Sequence, residues 1–430
     1  MNFLDETTKR YGCGVKVRIE AERDTYIITH PQHVEEVLQN TGRTFQKGYQ
    51  RHPIMRMVLG NGLVASEGEF WLRQRRLAQP LFHRQHIHRY AQTMVDFTTR
   101  TLKTWPDHGE VPLTETLHNL TMEIITQTVF SVDLNQGTPH NVGTSITQMM
   151  DFYQQQMTSP VRFLMERFPL PLPIPGEKHL VRAVRDVEEV ILALIELRRQ
   201  SPENHHDLLS LFLQARDDDG QGMTDTQLRD ELITLFLAGH ETTANSLLWT
   251  LCLLSTHPDI EAQLQDELRT VLNGRTPGAD DYPSLTFTQQ VVRESLRLYP
   301  PVWWMSREPL TDWVCDDLLI PAGSEVGISP WVMHRDPQFY PDPQQFRPHR
   351  WTFEFQQALP RHAYFPFGGG PRLCIGNNFA LMEMALVLAT LLQHFHVHVH
   401  GAQTVLPDPS LTLRPQAPLR AQVVRRTPVA

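Results

Sequence analysis

Cys374 lies in the run Phe365-Pro366-Phe367-Gly368-Gly369-Gly370-Pro371-Arg372-Leu373-Cys374-Ile375-Gly376, a glycine-rich loop that delivers one thiol just ahead of an apolar helical stretch, Asn377 to Phe395. Backbone N–H groups at the start of such a helix point toward the sulfur, and the helix dipole favours negative charge there. Both effects depress a cysteine pKa and produce a thiolate, which is a soft metal ligand. The glycines let backbone approach a large flat group closely, Arg372 suits an anion, and Phe367 can cover one face. A thiolate-ligated haem satisfies all of these at once. For an arbitrary cysteine the simpler role is that of a small buried hydrophobe.

A second chemical run, Ala238-Gly239-His240-Glu241-Thr242-Thr243, falls inside an apolar helix. Thr224-Asp225-Thr226-Gln227 opens that helix with a capping box, and the apolar pattern continues to about Leu254. Glycine in a helix interior costs about 1 kcal/mol relative to alanine, and an acid beside a hydroxyl is out of place in such a run. Two readings stand: a gap for a ligand or O2 with a proton-delivering pair beside it, or a helix–helix contact through small residues. Glu294 and Arg297, three apart, share one face of a helix expected over about Leu285 to Leu298. Alone, such a pair is usually solvated and worth little.

The spacing Phe367-x-x-Gly370-x-Arg372-x-Cys374-x-Gly376 resembles the haem-ligand loop of the cytochrome P450 family. The resemblance implies haem b with its iron held by the Cys374 thiolate. The run from Ala238 to Thr242 matches the family's oxygen-activation pattern, which implies Glu241 and Thr242 as a proton-relay pair and Ala238 as a small residue against the cofactor. Glu294-Ser295-Leu296-Arg297 resembles the family's Glu-x-x-Arg motif, and Phe346-Arg347-Pro348-His349-Arg350-Trp351 resembles the coil that supplies its second arginine. Arg350 is thereby implied as third member of a buried network that locks the approach to the cysteine loop. His349 and Trp351 depart from the acidic and phenylalanine residues common there. Trp71 and Arg75 match a Trp-x-x-x-Arg pattern, and with Arg372 and Arg307 they are implied as contacts of the haem propionates. Arg73, Arg75 and Arg76 cluster, so one or two of them face water.

The elements that must position these residues follow from the rest of the chain. The 430 residues are 40% hydrophobic and 20% charged, ordinary for a soluble globular protein, with no linker or repeat to divide them. The expectation is a mainly α fold with a small β portion, a single domain over 1–430 with haem between the long helix and the cysteine loop. The β-rich parts are expected at about 13–60 and 300–350 and in C-terminal strands. Val15 to Thr29 alternates as two strands about Glu22-Arg23-Asp24, and His30-Pro31 opens a helix through Leu38. Helical pattern runs from about Glu67 to Phe130 with a break near Pro106 to Gly109. The proline-rich segment 168–176 excludes regular helix and reads as a rigid connector, or else as a lid or membrane-touching loop.

A net charge of −9 without a Lys/Arg cluster argues against nucleic-acid binding. The four cysteines have neither disulfide-framework nor zinc-site spacing, which points to a reducing cytoplasm. No signal peptide or transmembrane anchor is expected, since Met1-Asn2-Phe3-Leu4-Asp5-Glu6 has no apolar core, and Leu232 to Leu254 reads as a buried helix because His240, Glu241 and several threonines interrupt it. Asp217-Asp218-Asp219-Gly220 resembles the start of a calcium loop, but its twelfth position is Leu228, so it reads as an exposed turn. His394, His396, His398 and His400 read as one face of a half-exposed strand whose other face buries Phe395, Val397 and Val399.

Functionally, the resemblance implies a monooxygenase inserting one atom of O2 into a C–H bond. Met55, Met57, Val58, Val302, Trp303 and Trp304 suggest an apolar pocket wall and a lipophilic substrate: a carotenoid, terpenoid or fatty acid. No Gly-x-Gly-x-x-Gly fingerprint follows a strand, so electrons are expected from a separate ferredoxin or flavodoxin with an NAD(P)H-dependent reductase. The alternatives are a peroxide-dependent peroxygenase, which would not need Glu241 and Thr242, and a non-catalytic haem sensor or carrier.

Overall fold

The computed structural model describes residues 2–11, 14–18, 23–48, 53–132, 149, 152, 176–200 and 207–427. Segment 168–176 falls outside these but for Gly176. The chain forms two compact units, one of residues 1–46, 84–121 and 240–430, the other of residues 47–83 and 122–239.

All twelve strands of the described residues belong to the first unit. Its largest sheet contains β1 (Val15–Val17), β2 (Thr25–Ile28), β3 (Phe45–Gln46), β5 (Met305–Pro309) and β8 (Glu325–Ile328) in the order β1-β2-β8-β5-β3. β1 and β2 form the expected antiparallel pair, while β2 runs parallel to β8, with Ile28 opposite Ile328. Every residue of β2 is buried, as a central strand covered on both faces requires. A second sheet orders β4 (His108–Val111), β12 (Ala421–Arg425) and β9 (Phe395–Val399) as β4-β12-β9. β4 fills the break expected near Pro106 to Gly109. Two hairpins complete the set: β6 (Trp313–Cys315) with β7 (Leu318–Ile320), and β10 (Pro407–Pro409) with β11 (Leu413–Pro415).

The helices of this unit start and stop where local chemistry dictates. Pro31–Gln39 begins with proline at its first position, where a missing N–H costs nothing. Thr286–Leu298 ends at Tyr299, just before Pro300-Pro301. The C-terminal helix Asn377–His394 is buried along nearly its whole length and packs on Arg84–Lys103, where Tyr90 meets Phe379 edge-on. That burial explains its apolar sequence without a membrane; no helix of the described residues is long and apolar enough to cross one.

The second unit is helical, with Pro53–Leu59, Gly68–Ala78, Glu177–Gln200 and Leu208–Gln214 as complete elements. The long helix Asp225–Thr256 lies in this unit through Gly239 and in the first from His240 onward. Its capping box is formed both ways: Thr224 N–H donates to Gln227 Oε1 at 2.9 Å, and Gln227 N–H donates to Thr224 Oγ1 at 3.3 Å. The Asp217 turn is closed by its own carboxylate, which accepts the N–H groups of Asp219 and Gln221 and pairs with Arg73 at 2.7 Å.

Two details depart from the sequence reading. His394 closes the C-terminal helix and lies on no strand, its ring facing the Thr390 carbonyl at 2.7 Å, because the chain turns extended only at Phe395. His396 keeps its place on the outer face beside Glu261, whereas His400 lies in the turn beyond Val399, beside Glu110. Trp303 and Trp304 are half-buried and pack on the small core of Leu4, Val15 and Ile27. Trp303 also donates its indole N–H to the Ser410 carbonyl at 2.9 Å.

Candidate active site

The cysteine loop is shaped by close backbone approach. Gly370 has φ +63°, and a Cβ there would lie 2.2 Å from the Leu38 carbonyl oxygen; a Cβ on Gly369 would lie 2.4 Å from His362 Nε2. Only glycine fits either position. The loop turns back on itself through Cys374 N–H donating to the Phe367 carbonyl at 3.0 Å, and Gly376 caps the C-terminal helix two residues later. Cys374 is exposed, while Cys252 and Cys315 are buried. Burial pushes the Cys252 thiol up to about 12. The role of a small buried hydrophobe therefore suits Cys252 and not Cys374.

Behind the loop, the backbone is held at three successive residues. Tyr340 donates its hydroxyl to the Ala363 carbonyl at 2.9 Å, Tyr364 donates to the Arg293 carbonyl at 3.1 Å, and Phe365 N–H donates to His334 Nε2 at 2.9 Å. An accepting Nε2 requires neutral imidazole. Complete burial, with Arg297 and Arg335 nearby, holds the His334 pKa well below its ordinary value.

Glu294, Arg297 and Arg350 converge. The Glu294 Oε1 accepts from Arg297 Nη2 at 2.8 Å, Arg350 Nε at 2.9 Å and Arg347 N–H at 2.9 Å; Oε2 accepts from Arg297 Nε and from the Trp351 indole N–H, both at 2.9 Å. Arg297 also donates to the carbonyls of His334, Pro343 and Gln345. Glu294 and Arg297 are both wholly buried. Trp351, an unusual residue on sequence grounds, is thus a fifth donor to the carboxylate. The indole N–H was its only sequence signal, and nothing local connects it with Glu294.

On the long helix, Glu241 is buried and Thr242 half-buried. Glu241 Oε1 accepts a hydrogen bond from Thr412 Oγ1 at 2.7 Å, and Thr412 in turn accepts from Asn245 Nδ2 at 3.0 Å. Thr412 and Asn245 were missed from sequence; Asn245 lies one helical turn from Glu241, whereas Thr412 arrives from the turn before β11. His240 faces away from this group: its Nε2 meets the His118 carbonyl at 3.1 Å, and burial lowers its pKa to about 3. At Gly239 the helix–helix contact through small residues is what forms. A Cβ on Gly239 would lie 2.8 Å from Ile125 Cδ1, while Ala238 is exposed.

Arg307 is buried on β5, with Nε donating to Thr41 Oγ1 at 3.0 Å, and Arg372 is half-buried in the short turn Gly370–Arg372. Phe367 is likewise half-buried. In the second unit, Trp71 and Arg75 share a face of Gly68–Ala78; Trp71 is buried and Arg75 donates to Gln79 Oε1 at 2.8 Å. Arg73 belongs to Asp217 and Arg76 faces solvent, which resolves the arginine cluster.

A presented thiol in a glycine-only loop, braced by a buried charge network, with an acid–hydroxyl pair on a long helix, is the arrangement of a thiolate-haem enzyme. The cytochrome P450 family profile matches residues 1–423, and the chain belongs to that family. It is 35% identical to cyclooctat-9-en-7-ol 5-monooxygenase of Streptomyces melanosporofaciens over 89% of this chain and 82% of that one. It is 34% identical to pentalenene oxygenase of Streptomyces avermitilis over 97% of this chain and 91% of that one. A solved cyanobacterial member with bound retinoic acid superposes with TM-score 0.86 at 26% identity, over 99% of this chain and 94% of that one. The fold is the mainly α cytochrome P450 fold, the chain is a monooxygenase, and its cofactor is haem with a cysteine thiolate ligand. The residues present fit that cofactor: the loop offers an exposed soft donor on a backbone packed directly against Leu38 and His362.

Proposed function

We propose that this chain, acting as one haem domain over its whole length, hydroxylates a terpenoid-class lipophilic substrate with electrons from a separate ferredoxin or flavodoxin and its NAD(P)H-dependent reductase. The match of the family profile to residues 1–423 supports the single domain, and the terpenoid-oxidising relatives support the substrate class. The cytoplasm is the proposed compartment, on cysteine usage.

Haem, when bound, supplies the activation of O2 that turns a C–H into a C–OH. Cys374 would hold the iron and donate electron density to it. Arg372 and Arg307 would meet the propionates and Phe367 would line the cofactor; the family spacing assigns Trp71 and Arg75 to the propionates and Ala238 to the cofactor as well. Glu294, Arg297 and Arg350 hold the coil that leads into the loop. Glu241 takes up a proton at its carboxylate and hands it to the Thr242 hydroxyl, which carries it into the site. The observation that carries this reading is the buried Glu241 beside Thr242, its carboxylate oriented by Thr412 at 2.7 Å.

The test is a spin-state screen of the purified protein against cyclic terpenes, carotenoids and fatty acids, followed by turnover with ferredoxin, reductase and NAD(P)H. Terpenes should shift the spin state and yield hydroxylated product, and Thr242→Ala should divert electrons into hydrogen peroxide. Binding confined to fatty acids would overturn the substrate class. Product yield per NAD(P)H unchanged in Thr242→Ala would overturn the relay.

A further inference from the structure

We propose that His33, Cys315 and Asp316 form a binding site for a divalent, thiolate-seeking metal ion of the zinc class, distinct from the haem-ligand cysteine. The three donor atoms lie within 4.8 Å of one another. They come from two anchors: His33 from the first turn of Pro31–Gln39, Cys315 from the end of β6, and Asp316 from the two-residue turn that joins β6 to β7. Both anchors belong to one hydrophobic core, where Val34, Val37 and Leu38 pack with Trp313, Cys315 and Ile320. Cys315 is therefore held by packing and His33 by its helix, while Asp316 follows directly on Cys315 in the turn.

The spacing of the imidazole and the carboxylate suits an ion between them, with the Cys315 sulfur within 4.8 Å of both. His33 Nε2 and Asp316 Oδ1 are 3.3 Å apart. A direct charge-assisted hydrogen bond would be about 2.7–2.9 Å. Two ligands on a tetrahedral zinc, each at about 2.0–2.1 Å, stand about 3.3–3.4 Å apart. Imidazole, thiolate and carboxylate together select a borderline-soft ion over magnesium or calcium. Two anionic donors balance the ion's charge and offset the positive end of the helix that carries His33. One side of the site is dry, walled by Trp313 with Phe45 against its edge at 5.2 Å. The other is wet, since the Asp316 side chain is 65% exposed, so water can complete the shell.

Such an ion would tie the first helix of the large sheet to a hairpin far along the chain, the kind of closure that restricts an unfolded chain most. The same helix carries Leu38, whose carbonyl abuts Gly370. Metal occupancy would thus firm the wall against which the cysteine loop is built. No local pattern announces the site, because His33 and Cys315 have no short-range spacing.

The experiment uses haem-loaded protein, so that Cys374 is engaged, stripped of adventitious metal and titrated with zinc ion alone. We expect one equivalent per chain, a zinc-edge absorption spectrum with one sulfur at about 2.3 Å, and a raised unfolding midpoint. Asp316→Asn, His33→Gln and Cys315→Ser should each weaken zinc binding by more than about tenfold. If Cys315→Ser misfolds, the sulfur signal in the native protein and the exposed Asp316→Asn variant still decide. A shell without sulfur, or affinity unchanged in Asp316→Asn, would overturn the site and direct attention to the imidazoles of β9. Absence of stoichiometric uptake would overturn it as well, leaving His33 and Asp316 as a weak ion pair.

Discussion

Glu294→Gln is the perturbation that most severely tests the bracing of the cysteine loop. The carboxylate accepts five hydrogen bonds, three at Oε1 and two at Oε2, all between 2.8 and 2.9 Å. Glutamine keeps the shape but turns one oxygen into an NH2, which then confronts at least two donors whichever way it is flipped. A hydrogen bond to a charged partner contributes about 1.5–3 kcal/mol, so two lost bonds cost about 3–6 kcal/mol. Independently, removing one partner of a buried ion pair costs about 3–5 kcal/mol, because Arg297 keeps its charge without compensation. The two routes agree on about 4 kcal/mol. Denaturant unfolding of the haem-loaded protein should show that loss, together with lower haem retention on purification. Trp351→Phe, removing one of the five donors, should cost about 2 kcal/mol by the same measure, and the double variant should cost less than the sum. A stability within about 1 kcal/mol of the parent for Glu294→Gln would refute the reasoning, since neither route allows so small a change.

Gly370→Ala should lose most haem incorporation, because its Cβ would lie 2.2 Å from backbone and the residue has φ +63°; Gly323→Ala, with φ +77° in open space, should cost only about 1–2 kcal/mol and leave haem content unchanged. Thr412→Val should raise peroxide formed per NAD(P)H, since Glu241 loses its orienting donor, while Thr412→Ser should restore coupling. Acid should destabilise the fold through its buried imidazoles. Burial depresses the folded pKa of His334 well below its ordinary value and that of His240 to about 3, whereas the unfolded chain takes up protons below about pH 6.5. The stability they confer is complete above about pH 6.5 and falls as pH drops, by about 3–4 kcal/mol for the pair on reaching about pH 5. A flat unfolding free energy across that interval would contradict it.

What could be read in advance from the chain depended on whether the relevant physics was local. The capping box of Thr224 and Gln227, the proline start at Pro31 and the glycine loop ahead of Cys374 are written in a few consecutive residues, and each forms as expected. The parallel pairing of β2 with β8 and the union of β4 with β12 join segments some 300 residues apart, and no local pattern encodes them. The same limit applied within the site. Glu294 and Arg297 share a helix face by spacing, but the Trp351 indole reaches them only through the fold. Thr412 reaches Glu241 in the same way. His394 was misplaced by one residue of boundary, because the helix persists to the very start of β9.

Everything in the proposed chemistry depends on Cys374 being the thiolate that holds the haem iron. The absorption spectrum of the dithionite-reduced CO complex, taken for the parent and for Cys374→Ser, tests it most directly. The account predicts a strongly red-shifted Soret band in the parent and its disappearance in the serine variant with haem still bound. A red-shifted band that survives the substitution would contradict it.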